Sequence, residues 1–482
     1  MKKRINVLSE VAFIIFFMLF NNGFIVAQPN EKQVKQVVDA ASKSSNKTIA
    51  GLTEDKATIE KEYLEKARHN IEAYRKSDAV LVFVDAKNNP LENVKVEINQ
   101  VSQDFRFGNL AFEMVNESDN LYKADLFRER FKALFNFAIF PFYWSAYESS
   151  PGKPQWQKNQ PVLDWCLANG ITCKGHPLGW TGQYGTPKWL LDLPEETATE
   201  LYKARIYNNV IGYKGKIDVW DVVNEPVNTI PWEDALNDKS NNDGIRYNVD
   251  KYKTGQFAPW IEKSYKWAYD ANPEGHYILN EYFTLAIPEV RDRFYELLKE
   301  LKKRNTPIGG IGIQAHEPRE MWFSPVEMYK TFDLYSEFNL PIHITEFIPQ
   351  SAGKDITGWR TGKWTEETQA EFAEQFYTLA FGHPSIASIT WWGLSDRKIW
   401  LEGGGLIDKE YNPKPVYTRL MKLIKEDWMT KNVIVSTDSN GKATFRGFFG
   451  NYKVVVTKAN GDKQTLNVHL TEKGTNYWKF DL

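Results

Sequence analysis

The chain has 482 residues, more than a small single domain needs and enough for one α/β barrel of about 250 residues plus an accessory domain. Its 60 basic and 62 acidic residues nearly cancel to a formal net charge of -2 and are mixed along the chain, so there is no electrostatic footprint for nucleic acid or an anionic membrane. Aromatic residues make up 14%, with 17 Trp, which suits stacking on sugar faces as well as core packing.

Residues 1–27 read as a secretory signal peptide: Lys2, Lys3 and Arg4, an apolar run from Val11 to Phe20, then small or apolar residues to Ala27. The apolar run is shorter than the ~20 residues that cross a bilayer. The expectation is therefore a secreted or periplasmic protein with no stable membrane span after cleavage. Residues 28–58 are polar and lack an apolar period, so a flexible leader is expected. From Ile59 to Ser77 the spacing of Tyr63, Ala67, Ile71 and Tyr74 predicts a docking helix. Next, Ala79 to Val84 and Val94 to Ile98, flanking Asn88-Asn89-Pro90, read as a hairpin. A two-stranded unit is marginal alone. Residues 59–104 are therefore expected to combine with the β-rich segment 429–482 into one small β-sandwich that the barrel interrupts.

Residues 105–428 alternate strands with amphipathic helices such as Leu121 to Leu134, Val290 to Lys303 and Glu366 to Ala380. Eight strands are counted: Phe105 to Phe112, Phe137 to Trp144, Ile171 to His176, Ile217 to Val223, Tyr277 to Glu281, Ile311 to Ala315, Ile342 to Glu346 and Ile386 to Trp392. The fold class expected is α/β, a (β/α)8 TIM barrel with a small accessory β-sandwich formed from the N- and C-terminal flanking segments. Cys166 and Cys173, the two cysteines, read as buried thiols. No metal-ligand set and no cofactor signature are read.

Glu225 follows the fourth counted strand and Glu346 the seventh. Strand C-terminal ends of such a barrel share one mouth, and two carboxylates across one bond are the apparatus of glycoside hydrolysis. In a retaining reaction one carboxyl stays protonated to donate to the leaving oxygen and the other attacks the anomeric carbon. Asn224 is placed to bond a sugar 2-OH, and Pro226 fixes the turn behind it. His316, in Gln314-Ala315-His316 after strand six, is placed to hold the Glu346 carboxylate. His176 ends strand three and is placed to bond a sugar hydroxyl. Trp392 and Trp400 are candidates for the floor or lid of a sugar site, whereas Trp391 points away into the core. Glu281, after strand five, is either an assistant or an ion-pair partner.

These residues also carry a resemblance. Trp220 to Glu225 preceded by Tyr213-Lys214-Gly215-Lys216-Ile217, the run Gly310 to His316, Ile344-Thr345-Glu346, and Trp392 to Asp396 with Trp400 and Pro413-Lys414-Pro415 are similar to glycoside hydrolase family 10, the xylanases. The resemblance runs from about Ser77 to the C-terminus. It implies a retaining endo-β-1,4-xylanase in which Glu225 is the acid/base and Glu346 the nucleophile, with His316 orienting Glu346. Asn224, His176, Gln314 and Trp392 would line the site. The flanking segments Asp78 to Gly108 and Asp438 to Val456 resemble the β-rich extensions of some members. The chain departs from the family after strand two, where a Glu-Asn pair and Lys-Trp are usual. Here Phe135 to Trp144 is two residues shorter, with Tyr143 where the lysine would be, and Trp180-Thr181 stands where Trp-His is common. Tyr143, Trp144, Trp180 and Trp400 join the substrate-binding candidates, and the glycone side is expected to be more apolar. The implied partner is a polysaccharide or oligosaccharide met by a monomer. The alternatives are the same mechanism on decorated xylan or another β-glucan, and a non-hydrolytic glycan-binding barrel. The β-sandwich is expected to act as a structural clamp.

Overall fold

Parallel strands buried on both faces appear in sequence as short continuous apolar runs rather than alternating ones, and the strands before the two glutamates fit that rule, with every residue of Val219–Asn224 and Ile342–Phe347 buried. The computed structural model of the protein describes residues 51–116, 121–181, 185–227, 258–458 and 460–482. The expected signal peptide and all of the leader up to residue 50 lie outside the described residues.

In chain order the strands are β1 (Lys76–Val84), β2 (Lys95–Gln100), β3 (Arg106–Leu110), β4 (Phe137–Pro141), β5 (Thr172–His176), β6 (Val219–Asn224), β7 (His276–Glu281), β8 (Gly310–Ile313), β9 (Met321–Trp322), β10 (Ile342–Phe347), β11 (Asp355–Gly358), β12 (Gly362–Lys363) and β13 (Ile386–Trp391). They are followed by β14 (Val433–Ser436), β15 (Lys442–Phe448), β16 (Gly450–Thr457), β17 (Lys463–Leu470) and β18 (Tyr477–Asp481). Eight of them close a barrel in the order β10-β13-β3-β4-β5-β6-β7-β8, and the pairs within it are parallel. This is the expected (β/α)8 barrel. One strand ends early. The second counted strand was expected to run to Trp144 but stops at Pro141, which has no N–H to continue a ladder. A short helix, Trp144–Tyr147, then redirects the chain. A small sheet of order β12-β11-β9, not foreseen from the sequence, braces the loop after β10.

The flanking segments form two sheets, β15-β1-β18 and β14-β2-β16-β17. The expected hairpin is corrected here: β1 and β2 lie in different sheets. β2 buries alternate side chains and β1 buries Ala79 and then Leu81 to Val84, and placing the two strands in opposite layers lets Ala79, Leu81 and Phe83 meet Val96, Ile98, Val454 and Val456 in one apolar core. The connection is shaped by Asp85, whose carboxylate accepts from the N–H groups of Lys87 and Asn89, and by Asn88 and Asn93 at φ 65 and 59. The parallel partner of β1, β18, was also unforeseen.

The docking helix spans Glu54–Tyr74, so it starts inside the stretch read as leader, with Glu54 and Asp55 complementing the positive end of its dipole. Ala67 and Ile71 are buried, and the helix lies so close to the barrel that a Cβ added at Gly382 would come within 2.6 Å of the Ala67 backbone. Arg75, just past its end, donates to the carbonyls of Phe381, His383 and Ile386 at 2.7–2.8 Å, and burial lowers its pKa to about 10. At the other end of the helix, buried Glu60 binds the Arg360 guanidinium through both carboxylate oxygens, and accepts from Trp359 Nε1 at 3.1 Å. Among the described residues no helix is long and apolar enough to cross a membrane. Both cysteines are buried and unpaired by disulfide.

Removing one member of a buried ion pair leaves the other charge desolvated. Glu60→Ala is expected to cost about 3 kcal/mol of unfolding free energy in denaturant titrations; an unchanged midpoint would mean that the helix is anchored elsewhere.

Candidate active site

Parallel strands deliver alternate residues of their C-terminal ends to the mouth, and here the backbone ladder continues past the strands to line up the functional ones. The Glu225 N–H donates to Asn280 O at 2.7 Å, Gln314 N–H to Glu281 O at 3.0 Å, and Glu346 N–H to Gln314 O at 3.1 Å. Glu225 has φ 58, a left-handed conformation that is uncommon for a side-chain-bearing residue and costs backbone energy. It turns the chain out of β6. The turn is held by Glu281, fully buried, whose carboxylate accepts from Val227 N–H at 2.7 Å and from Tyr282 N–H at 2.9 Å. Glu281 thus buttresses backbone.

The two mouth carboxylates have different surroundings. Glu225 accepts from Trp180 Nε1 at 2.8 Å on one oxygen, and from the Gln314 and Asn224 amides, both at 3.1 Å, on the other. Burial and the neighbouring charge of Glu346 raise its pKa above the ordinary glutamate value, against the opposing hydrogen bonds of Gln314 and Trp180 and the nearby His316. Glu346, 5% exposed, accepts from Asn280 Nδ2 at 2.8 Å on Oε1 and faces His316 Nε2 at 3.3 Å with Oε2. The Asn280 amide also donates to Asn224 Oδ1 at 2.8 Å, and its oxygen accepts from Thr345 Oγ1 at 2.6 Å. One buried amide therefore ties both glutamate neighbourhoods together. Sequence reasoning passed over Asn280, although it stands beside Glu281 at a counted strand end.

His176 Nδ1 meets Asp221 Oδ2 at 2.7 Å, and Lys174 Nζ binds the same oxygen at 2.6 Å. Burial alone would raise the Asp221 pKa, but Lys174 and His176 hold it below the usual value. With Nδ1 donating to Asp221, His176 Nε2 is left to meet the Tyr143 hydroxyl at 3.2 Å, and lies 4.0 Å from Glu346 Oε1. Burial, then the charges of Glu346, Glu225 and Asp221, push the Tyr143 pKa well up, so its hydroxyl stays protonated. Tyr143 packs edge-on to Phe112, His176 and Trp180, and Trp392 edge-on to Phe112 and His176, with centroids 5.0–5.9 Å apart. Phe112 was not singled out from the sequence. Trp400 is 44% exposed, sits edge-on to His316 at 5.2 Å and carries the Arg319 guanidinium at 4.7 Å. Trp391 is fully buried, its Nε1 donating to Gly404 O.

Trp144 departs from its expected place. It is 2% exposed, donates Nε1 to Glu148 at 2.9 Å and packs among Trp189, Tyr202 and the Arg205 guanidinium. The early stop of β4 turns it away from the side where its neighbour Tyr143 meets His176. No group of three or more His, Cys, Asp or Glu suited to a metal ion occurs among the described residues.

A Glu225 with a raised pKa beside a Glu346 held by Asn280 and His316 is an unequal carboxylate pair, the kind of arrangement that can divide acid and base roles. Two outcomes follow. Asn280→Ala, which strips a donor from Glu346 and from Asn224, is expected to lower kcat by about 100-fold with little change in unfolding temperature. Gln314→Ala removes a bond that favours ionised Glu225, so its pKa rises further, and the alkaline limb of kcat/KM is expected to move to higher pH.

A family model described as glycosyl hydrolase family 10 matches residues 92–423. The chain is 26% identical over 413 residues to anti-sigma-I factor RsgI6 of Acetivibrio thermocellus, covering 85% of this chain and 48% of that protein. It is 25% identical over 399 residues to endo-1,4-beta-xylanase 1 of Arabidopsis thaliana, covering 81% and 37%. The chain thus spans about half or less of the length of these relatives. In fold it is similar to xylanase 10B from Thermotoga maritima, with a TM-score of 0.53 and 23% identity over 67% of this chain and 96% of that one. The family match takes in well over half of the residues, and both mouth glutamates with them: the chain belongs to glycosyl hydrolase family 10.

Proposed function

We propose that the protein is an endo-β-1,4-xylanase that cleaves xylan-type plant polysaccharide with retention of configuration. The observation that supports this most is the unequal pair of carboxylates: Glu225, its pKa raised by burial and by Glu346, and Glu346, held by the Asn280 amide and His316. In the first step a Glu346 carboxylate oxygen bonds to the anomeric carbon, the glycosidic C–O bond breaks, and the Glu225 proton passes to the departing oxygen. Forming that ester removes the Glu346 charge, one of the two influences that raise the Glu225 pKa. Glu225, now ionised, takes a proton from water, whose oxygen displaces Glu346 and restores both groups. Asn224, fixed by Asn280, bonds the 2-OH, and Trp180, Trp392 and Trp400 offer rings to the sugars.

A decorated xylan is favoured over a plain one by the glycone side, where Phe112, Tyr143 and Trp392 pack together. Ring faces tolerate substituents that directional hydrogen bonds reject. We further propose that the protein works as an exported monomer, secreted or periplasmic, and that the β-sandwich is a clamp rather than a ligand module.

Time-resolved product analysis on plain xylan, glucuronoxylan, arabinoxylan and mixed-linkage β-glucan tests the reading. Xylo-oligosaccharides are expected from the xylans, and Glu346→Ala should lose them by more than about 10⁴-fold. Glu225→Ala should retain the first step on aryl xylosides with acidic leaving groups, and azide should be captured there as a β-configured product. An α-configured azide adduct, or release from β-glucan alone, would sink the proposal.

A further inference from the structure

Behind the mouth, on the flank of the barrel, lies a second concave site of about 660 Å³, within the 300–1,000 Å³ span usual for small-ligand sites. The rings of Trp144, Tyr147, Trp156, Trp189 and Tyr213 line it together with proline and leucine side chains. Trp144 is buried, Trp189 is partly exposed, and Trp156, 50% exposed, leaves a ring open to solvent. The exposed Asn208 amide and the partly buried Gln160 also line it. Among the described residues two charged groups belong to the wall, and both bond to the protein itself. The Arg205 guanidinium lies over the Trp144 and Tyr147 rings at 5.0 and 5.6 Å and donates to the carbonyls of Phe142 and Leu178. The Glu148 carboxylate accepts from Trp144 Nε1 at 2.9 Å and Gly152 N–H at 2.7 Å. Their signs are opposite, so the groove offers no net charge to a phosphate, a uronate or a basic peptide.

An exposed indole, Trp156, and the exposed Asn208 amide in one groove without net charge match a neutral pyranose: its C–H face stacks on the ring while its hydroxyls meet the amide. We infer that this groove is a second glycan site, binding a short run of neutral β-linked pyranoses of the polysaccharide without cutting it. Among the described residues Glu148 is the one carboxylate in its wall and is held as an acceptor, so they offer no facing acid and nucleophile of the kind that cleavage requires. Its relation to the mouth suggests its use. Tyr143 contacts His176 on one side and the next residue, Trp144, lines the groove on the other, so a chain held in the groove is kept at high effective concentration beside the carboxylates. The identity of the sugar rests on the xylanase reading; the existence of the site does not.

The test uses full-length Glu346→Ala protein, in which turnover is blocked, titrated with linear xylohexaose and separately with cellohexaose by calorimetry and by the indole N–H signals in NMR. Two classes of site are expected. Trp156→Ala in that background should weaken one class by about tenfold or more, leave the other unchanged and shift the Trp189 signal response, and Trp156→Phe should restore most of the loss. A single class of site, or two classes both indifferent to Trp156→Ala, overturns the inference. Hydrolysis by the unaltered chain reports on the mouth separately. Trp156-dependent binding without xylan cleavage overturns the xylanase reading and keeps the groove, whereas cleavage without such binding does the reverse.

Discussion

Two carboxylates held in one desolvated mouth repel each other, and the arrangement around them answers that constraint. Each oxygen of Glu225 and of Glu346 has a neutral donor or an imidazole within reach, and burial together with the like charge that remains raises the Glu225 pKa. Asn280 is central because its two amide hydrogens go to different addresses, one to Glu346 and one to Asn224. The relative placement of Glu346 and Asn224 is therefore set by one planar group on β7, between the strands that carry the glutamates. A flexible linker in that position would let the two carboxylates drift apart and lose the coupling that helps to raise the Glu225 pKa.

The rest of the barrel serves to keep that geometry stiff. Lys174 and Asp221 are buried deep beneath His176, where an unpaired charge would be prohibitively costly. Together they form a neutral pair that fixes the imidazole ring and leaves only its Nε2 facing Tyr143 and Glu346. At the opposite end of the barrel Arg75 caps carbonyls that precede and open β13. The chemistry sits where strands end and loops begin, and the stabilising contacts sit where strands start, a division that lets the mouth change without loosening the fold.

Much of this was legible in the sequence. All eight barrel strands were located from short, largely apolar segments alternating with amphipathic helices, some interrupted by a polar residue such as Lys174 or Asp221, and the glutamates closing two of those segments stood out against them. Asn280 was not legible in the same way: at a strand end the inward and outward positions differ by one residue, and Glu281, the more conspicuous group, turned out to brace a backbone turn. Trp144 was misplaced because an aromatic run crossing Pro141 looks like one continuous strand. The helix Glu54–Tyr74 was legible as amphipathic, but its anchor was not, since Glu60 and Arg360 are 300 residues apart. Alternation in β1 and β2 announced half-buried strands without saying which sheet each joins, and only the need to bury both apolar faces against each other decides for opposite layers.

The aromatic residues after β4 and β5 gain a physical meaning from this geometry. A lysine at the position of Tyr143 would bring a charge beside Glu346, His176 and Asp221 and would pull on the same carboxylates that Asn280 and Gln314 position. A tyrosine brings a hydroxyl that stays protonated and a ring that closes against Phe112 and Trp180. A tyrosine thus leaves the electrostatics around Glu346 to the imidazole and amide already present. Both glutamates stand at strand ends, while the short segment that leaves β4 sends Tyr143 toward His176 and the next residue, Trp144, into the packing around Tyr202 and Arg205, so the two sides of that segment can vary without moving the carboxylates.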